Sequence, residues 1–487
     1  MGENLALFSA DFNGSLRIEP RPERLTSDAG AVILREILER LGIVGWMVDR
    51  LRDPRDPDLI THPLAELLRT AVLLIAQGWR DQDDADALRD DPALRLAASD
   101  RKGTSPLLGR SAGQRSNRNP VVPDGLASQP TLSRLYRMLG ESPNRSVLRE
   151  ALLLAAARRQ KALRDGHRLR YATIDIDGLP IDVHGHQPGS AHNGHYHGRI
   201  YHPIVAAIAE TGDLLDVRLR KGNVHGASGA MEFVLPLLDR VEKEICQVAS
   251  VRMDAGFPEE NLLAALEARG TPYVARVRNN KLLNEAAAPY LKRPAGRPPA
   301  EPRTWFHEMR YQAGSWSLPR RVVLVVLERP GELFLHHFWL ITNWPPEQME
   351  ADDLLALYRE RGTAEGHFGE LKSVLEPALS SAPRQKSHYR GSEPKKRTTP
   401  VDSFAQNEVI LLLHALAYNV MHAARVLMER ATGEGWSLLR LRERVLRTAG
   451  RALLHARRVV LVIGEAPAKL WRQLWRELQG IRFVVEG

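Results

Sequence analysis

Between residues 168 and 280 the chain orders its apolar runs and turn residues as strand, strand, strand, helix, strand, helix, strand. Residues 167 to 178 alternate with a period of two, and so do Pro203 to Ala209 and Leu214 to Arg220, which are joined by the turn Glu210-Thr211-Gly212-Asp213. Ala227 to Ile245 reads as the first helix, Val248 to Met253 as the fourth strand and Pro272 to Arg278 as the fifth, with a helix from Pro258 between them. Three strands in meander followed by alternating helices and strands can bury their apolar faces only as a mixed sheet covered by helices.

Carboxylates stand at the ends of these strands. Period-two alternation puts Asp175 and Asp177 on one face of the first strand. Asp254 follows the fourth strand, ahead of Gly256 at a tight turn. A third acid lies on a later helix-periodic stretch, where Tyr358, Arg361, Glu365 and Lys372 recur at spacings of three, four and seven. At ~100° per residue these four fall in one narrow stripe. Leu357, Ala364, Phe368, Leu371 and Leu375 form the apolar stripe beside it, which suits a helix with a core face and a polar edge. A solvated face with ordinary ion pairs is the alternative for that edge. Convergence of the strand-end acids with Glu365 would supply three oxygen donors, the set expected for Mg²⁺ or Mn²⁺ and for two-metal chemistry on phosphodiesters.

The rest of the 487 residues is organised around this core. Residues 1–165 read as a helical region, beginning with the capping stretch Leu25-Thr26-Ser27-Asp28 and continuing through the long apolar helix His62 to Gln77. Within it, Ser128 to Arg137 reads as a short capped helix displaying Arg134 and Arg137, as the second helix of a helix-turn-helix would. Solvating surface arginines are an equal reading. Arg101 to Pro120 and Pro383 to Pro400 read as basic loops. Residues 166–280 form the first part of the core, 281–345 a β insertion holding Trp305, Trp316, Trp339 and Trp344, 346–380 the helix with Glu365, 381–402 a basic loop, and 403–487 a second helical region. Sheet packing is the expected role for most of these tryptophans, with base stacking as the alternative for an exposed one.

A formal charge of +9 and a pI near 9.7 point to a polyanionic partner such as nucleic acid more than to a membrane. One cysteine, Cys246, excludes an internal disulfide framework and any cysteine-rich zinc module. No uninterrupted apolar run in the sequence has the ~18 to 20 residues of a bilayer span, so a soluble, cytoplasmic protein is expected. His184, His186, His192, His195, His197 and His202 lack the fixed spacing of a closed zinc site and read as a polar loop.

The four-residue stripe matches, position by position, the signature Y-(2)-R-(3)-E-(6)-K, and the chain resembles the DDE transposases of bacterial insertion sequences that carry it. More narrowly it is similar to the insertion-sequence thirteen-eighty group. Leu25 to Asp28, Asp175-Ile176-Asp177, His184 to Gln187, Leu219 to Asn223, Arg252 to Phe257, Ala405 to Asn407 and Ala417 to Asn419 support this. The resemblance implies an α/β fold with a ribonuclease-H-like mixed-sheet core, a β insertion and flanking helical N- and C-terminal regions. It also implies a metal-dependent DNA transposase that binds terminal inverted repeats, cleaves the ends and joins the 3′ hydroxyls to target DNA, as a homodimer on paired ends. Carried over by position, Asp177, Asp254 and Glu365 are the catalytic metal ligands, holding Mg²⁺ or Mn²⁺ as two ions. Tyr358, Arg361 and Lys372 would contact DNA phosphates. Relatives often continue the first motif as D-x-T, whereas here Leu179 follows Gly178, which keeps Asp175 open as an alternative ligand. A structure-selective nuclease and a catalytically inactive DNA-binding derivative are the competing readings.

Overall fold

The alternation at 167–178 becomes a central strand of a large mixed sheet. Numbered along the chain, the strands are β1 Leu25–Thr26, β2 Tyr171–Gly178, β3 Ile181–Asp182, β4 Ala191–Asn193, β5 Gly198–Tyr201, β6 Ile204–Ile208, β7 Leu214–Arg218, β8 Gln247–Met253, β9 Tyr273–Val277, β10 Arg303–Tyr311, β11 Arg320–Glu328, β12 His336–Thr342, β13 Gly450–His455 and β14 Arg458–Ile463. Eight of them form one sheet in the order β10-β11-β12-β9-β8-β2-β6-β7. β2, β6 and β7 make an antiparallel meander, and β8 and β9 lie parallel to β2 and to each other. The computed structural model describes residues 12, 15, 23–108, 125–164, 166–183, 185, 187–294, 300–381 and 403–481. Most of the basic loop read at 101–120, the one at 383–400, and His184 and His186 lie outside the described residues.

The helices of nine residues or more are α1 Ala31–Leu41, α2 Leu64–Gln77, α3 Gln129–Leu139, α4 Ser142–Leu163, α5 Met231–Glu244, α6 Glu260–Arg269, α7 Ala351–Arg359, α8 Arg361–Ser373, α9 Ser403–Thr432 and α10 Glu465–Gly480. Strand alternation sends Ile174 and Ile176 of β2 to one face, where they meet Phe233, Val234 and Leu237 of α5 and Leu262, Leu263 and Leu266 of α6. The opposite face presents Val205, Ala207, Leu214 and Val217 to Ala364, Phe368 and Leu371 of α8 and to α9. Further along that face, Val274, Val323, Val325 and Leu340 pack on Leu354 and Leu355 of α7. Asp175 and Asp177 share this second face, so the acids lie under α7 and α8.

Four expectations change. The β strands read at 281–345 as an insertion returning to the core are strands of the core sheet itself: β12 pairs with β9, so β10 to β12 widen the main sheet. The region 403–487 is not wholly helical. β13 and β14 form a hairpin, where β-branched Val459, Val460, Val462 and Ile463 favour a strand and Ala456 turns the chain with φ at 51°. Nor are the two helical regions separate. β1 pairs with β13, and α1, α2, α3 and α4 all pack against α9 in one core. A Cβ on Gly30 would sit 2.3 Å from Leu446 Cα, so only glycine allows this approach of the N-terminal segment to the C-terminal one. Finally, the polar loop read at the histidines contains a small sheet, β3-β5-β4, beside the strand-end acids.

α9 has the length and apolarity of a bilayer span, but 94% of its apolar window is buried inside the protein, as befits a core helix. Its Asn419 also closes a buried sheet edge. The side chain accepts from Leu214 N–H at 3.0 Å and donates to Leu214 C=O at 2.8 Å, satisfying backbone groups of the edge strand β7. None of the four tryptophans near β10 to β12 is exposed: Trp316 and Trp339 are buried and Trp305 and Trp344 half-buried, in line with sheet packing.

Candidate active site

The register of the sheet brings the first two acids together. The last residues paired between the parallel strands β2 and β8 are Ile176 and Met253, so Asp177 and Asp254 leave adjacent strand ends side by side. Neighbouring strands lie ~4.8 Å apart, and the alternation of faces turns both side chains toward α8. The third acid arrives from that helix. Arg361 opens α8 and Glu365 lies one turn further on the same edge, so the guanidinium reaches both carboxylates. Arg361 Nη2 donates to Asp177 Oδ2 at 2.7 Å, and Nη1 donates to Glu365 Oε1. The second Asp177 oxygen, Oδ1, accepts from the Gly178 N–H at 2.8 Å.

The charges of Asp254 and Glu365 are felt at both Asp177 and Arg361. Burial pushes the Asp177 carboxyl up to about 6, against the pull of Arg361 and the Gly178 N–H, and the charges of Asp254 and Glu365 push it further in the same direction. Burial draws the Arg361 guanidinium down, but the fields of Asp177, Asp254, Tyr358 and Glu365 outweigh it and hold its pKa above the ordinary value. Arg361 is 13% exposed, Asp177 17% and Glu365 56%, so the bridge runs from the partly buried strand end out to the surface.

Asp175 has a different task. Both of its oxygens are engaged by Arg252, Nε at 2.5 Å and Nη2 at 2.8 Å, and the pair is almost completely buried. Arg252 Nη1 also donates to the Leu357 carbonyl at 2.5 Å and lies 3.5 Å from Glu360 Oε2. Arg252 therefore ties β2 and β8 to the junction of α7 and α8, where the chain breaks at Glu360. The single helix expected within 346–380 is thus two helices, with Tyr358 on α7 and Arg361, Glu365 and Lys372 on α8. Tyr358 still faces the site. Burial raises its phenol pKa, and the charges of Asp254 and Glu365 add to that shift.

Lys372 lies farther along α8, 3.5 Å from Asp182 of β3, with both side chains largely exposed. Arg134 and Arg137 are exposed on α3, where Leu132, Leu135, Tyr136, Met138 and Leu139 form the buried side. Arg134 Nε donates to the Pro130 carbonyl.

Two groups at the site had no role in the sequence reading. Arg252 carried a signal, an arginine inside an otherwise apolar strand. The other is the wall built by the small sheet. Tyr196 and His202 pack edge to face with ring centroids 5.8 Å apart, and the Tyr196 phenol is raised by burial and then by the charges of Asp177 and Asp254. His202 Nε2 lies 2.6 Å from where a Cβ on Gly178 would stand, so glycine after Asp177 leaves room for the imidazole.

Arg361 bridges Asp177 and Glu365, and Asp254 leaves the neighbouring strand end, so the acids near this cation offer oxygen donors only, the donor type that hard divalent ions take. Among the described residues no group of three acids, histidines or cysteines stands at common ligating distance.

The family model for the transposase DDE domain, group 1, matches residues 8–390. A cryo-EM structure of the piggyBac transposase synaptic complex with hairpin DNA is similar at 12% identity, over 85% of this chain and 78% of that chain, with a TM-score of 0.38. None of the curated proteins matches the chain.

Proposed function

The chain belongs to the transposase DDE domain group 1 family, and on that premise we propose that it binds the terminal inverted repeats of an insertion sequence, cuts the DNA ends and joins their 3′ hydroxyls to target DNA. The observation that carries this reading is the bridging of Asp177 and Glu365 by the Arg361 guanidinium at the end of β2 and the start of α8, with Asp254 leaving the adjacent end of β8. We read the core as ribonuclease-H-like. The order β7-β6-β2-β8-β9, a three-stranded meander continued by two parallel strands, supports that. The spacing of Tyr358, Arg361, Glu365 and Lys372 supports placement in the YREK-signature branch and its thirteen-eighty group.

Asp177, Asp254 and Glu365 would hold Mg²⁺ or Mn²⁺, with two ions per site. Such ions, when bound, supply Lewis-acid stabilisation of the phosphate and activation of the attacking water. Asp175 is left to Arg252 and serves to fix the strand end from which Asp177 projects. Arg361, Lys372 and Tyr358 bind backbone phosphates of the strand to be transferred and hold its scissile bond at the carboxylates. Held after cleavage at the leaving-group position, opposite the side from which water attacked, the 3′ hydroxyl can attack a target phosphate brought in line with it and expel the target's own 3′ oxygen, with no covalent bond to the enzyme. Arg134 and Arg137 on α3 offer a surface to a DNA groove. Coordination of two ends calls for two subunits on paired DNA.

The test is a labelled duplex copied from the DNA flanking the gene, incubated with Mg²⁺ and a second, unlabelled DNA. Nicking at the end followed by joining is the expected result. Nicking without joining would replace the reading by a nuclease, and binding without cleavage in any divalent metal would replace it by an inactive derivative.

A further inference from the structure

The Arg361 guanidinium and a divalent ion need the same oxygens. Arg361 binds Asp177 Oδ2 and Glu365 Oε1 at once, and the other Asp177 oxygen accepts from Gly178. An ion ligated by Asp177 and Glu365 would stand within a few ångströms of a full positive charge, in a site where Arg361 is only 13% exposed and screening by water is weak. The two cations therefore exclude each other. A guanidinium forced off two carboxylates needs another anion. The one available in the proposed reaction is a phosphate of the DNA end lying against α8, where bidentate geometry suits arginine.

We propose that Arg361 is an internal counter-cation whose transfer from Asp177 and Glu365 to a DNA phosphate opens the site to the divalent ion. The inference rests on the reading of Asp177, Asp254 and Glu365 as metal ligands. Its consequence is linkage. DNA end and metal favour the same position of Arg361, so each raises the other's affinity by one common factor. Cleavage is thereby confined to a site that holds its substrate, because the unbound protein keeps its acids neutralised by its own arginine. The other walls do not take over this part. Lys372 lies against Asp182, and Arg252 is committed to Asp175 and the Leu357 carbonyl.

Mn²⁺ binding to the full chain, read from the electron paramagnetic resonance signal of free Mn²⁺ at about pH 8, where carboxylates are ionised, tests the exchange without any cleavage. The flanking-DNA duplex is added as the second ligand. For the natural chain the duplex should tighten Mn²⁺ binding by about tenfold, in the ordinary range of coupling between sites. Arg361→Ala should bind Mn²⁺ about tenfold more tightly than the natural chain without DNA, and the duplex should then add less than about twofold. Arg361→Gln, which keeps a hydrogen-bond donor and loses the charge, should behave like the alanine variant and serves if that variant does not fold. Unchanged Mn²⁺ affinity in both variants, or a duplex effect that survives intact, would overturn the exchange. Asp254→Asn and Glu365→Gln separate the two levels. If neither weakens Mn²⁺ binding, the ligand reading itself fails. If both do while the Arg361 variants match the natural chain, only the exchange fails.

Discussion

Asp175 and Asp177 stand two residues apart on one face of β2, and their surroundings divide the work between them. Both oxygens of Asp175 are locked to Arg252, whereas Asp177 ends its strand beside Asp254 with a carboxyl raised to about 6. Asp175→Asn leaves the buried Arg252 without its counter-charge and should destabilise the fold by about 3–5 kcal/mol, read as a lower denaturation midpoint. Burial raises both carboxyls, but Arg361 keeps Glu365 as a partner when Asp177 is lost, whereas Arg252 has only the more distant Glu360, so Asp177→Asn should have the opposite sign. The raised value already includes the attraction of Arg361, so ionised Asp177 is a net cost to the fold. The folded state holds this proton more tightly than the unfolded chain, so stability falls as pH rises from the ordinary carboxylate range through about 6. The asparagine variant should be more stable than the natural chain by roughly 1–3 kcal/mol at pH 7.5. The gain should shrink toward zero near pH 4; a gain independent of pH would refute the account of Asp177. Both acids were visible in the sequence as neighbours on one strand face, with Asp177 favoured as the ligand, and the separate task of Asp175 was not visible. It depends on Arg252, which reaches Asp175 from the adjacent strand across a parallel pairing that local sequence does not encode.

The helix that brings Glu365 is held by contacts on its other side. Arg425 of α9 pairs with Glu370, the other Glu370 oxygen accepts from the Leu438 N–H at 2.8 Å, and Tyr418 hydroxyl lies 3.0 Å from His367 Nδ1. Arg425→Ala would strip the half-buried Glu370 carboxylate of its cation and should cost about 2 kcal/mol. It should also slow cleavage without changing the salt dependence of DNA binding, since Arg425 lies behind the helix. A changed salt slope would mean that it contacts DNA. Arg361→Ala should differ in this respect, weakening end binding with a salt slope shallower by about one phosphate contact. At this scale the strands of the core were legible because their apolar runs are short and bounded by turns. The break between α7 and α8 was not, because the 3.6-residue periodicity runs through Glu360 unchanged. The β13–β14 hairpin was missed because its arginines drew attention from the β-branched run that forms it.

The N- and C-terminal regions are one body built on α9, with the catalytic sheet packed against it. Sequence reading kept them apart because nothing local reports that β1 pairs with a strand more than four hundred residues away. The seam has a sharp test. Gly30→Ala would drive a methyl into the backbone at Leu446 and should cost about 2 kcal/mol or more by overpacking. A melting temperature equal to that of the natural chain would show that the seam yields freely. Assembly on DNA belongs to the same scale. Mass measurement with and without flanking DNA should give a complex with two subunits on two ends, and a fully active complex of one subunit with one end would refute the paired-end proposal.

The most direct measurement for the central claim compares Asp177→Asn, Asp254→Asn and Glu365→Gln with the natural chain, following Mg²⁺-dependent cleavage and joining of the flanking-DNA duplex alongside its binding. If the three acids form one metal site for phosphoryl transfer, each variant should lose cleavage by about a thousandfold or more, the scale on which metal-ligated nucleophiles act. Binding of the duplex, measured without divalent ion, should stay within about threefold, since phosphate contacts supply most of that affinity. Cleavage surviving in any one of the three, or binding lost in step with cleavage, would contradict the account.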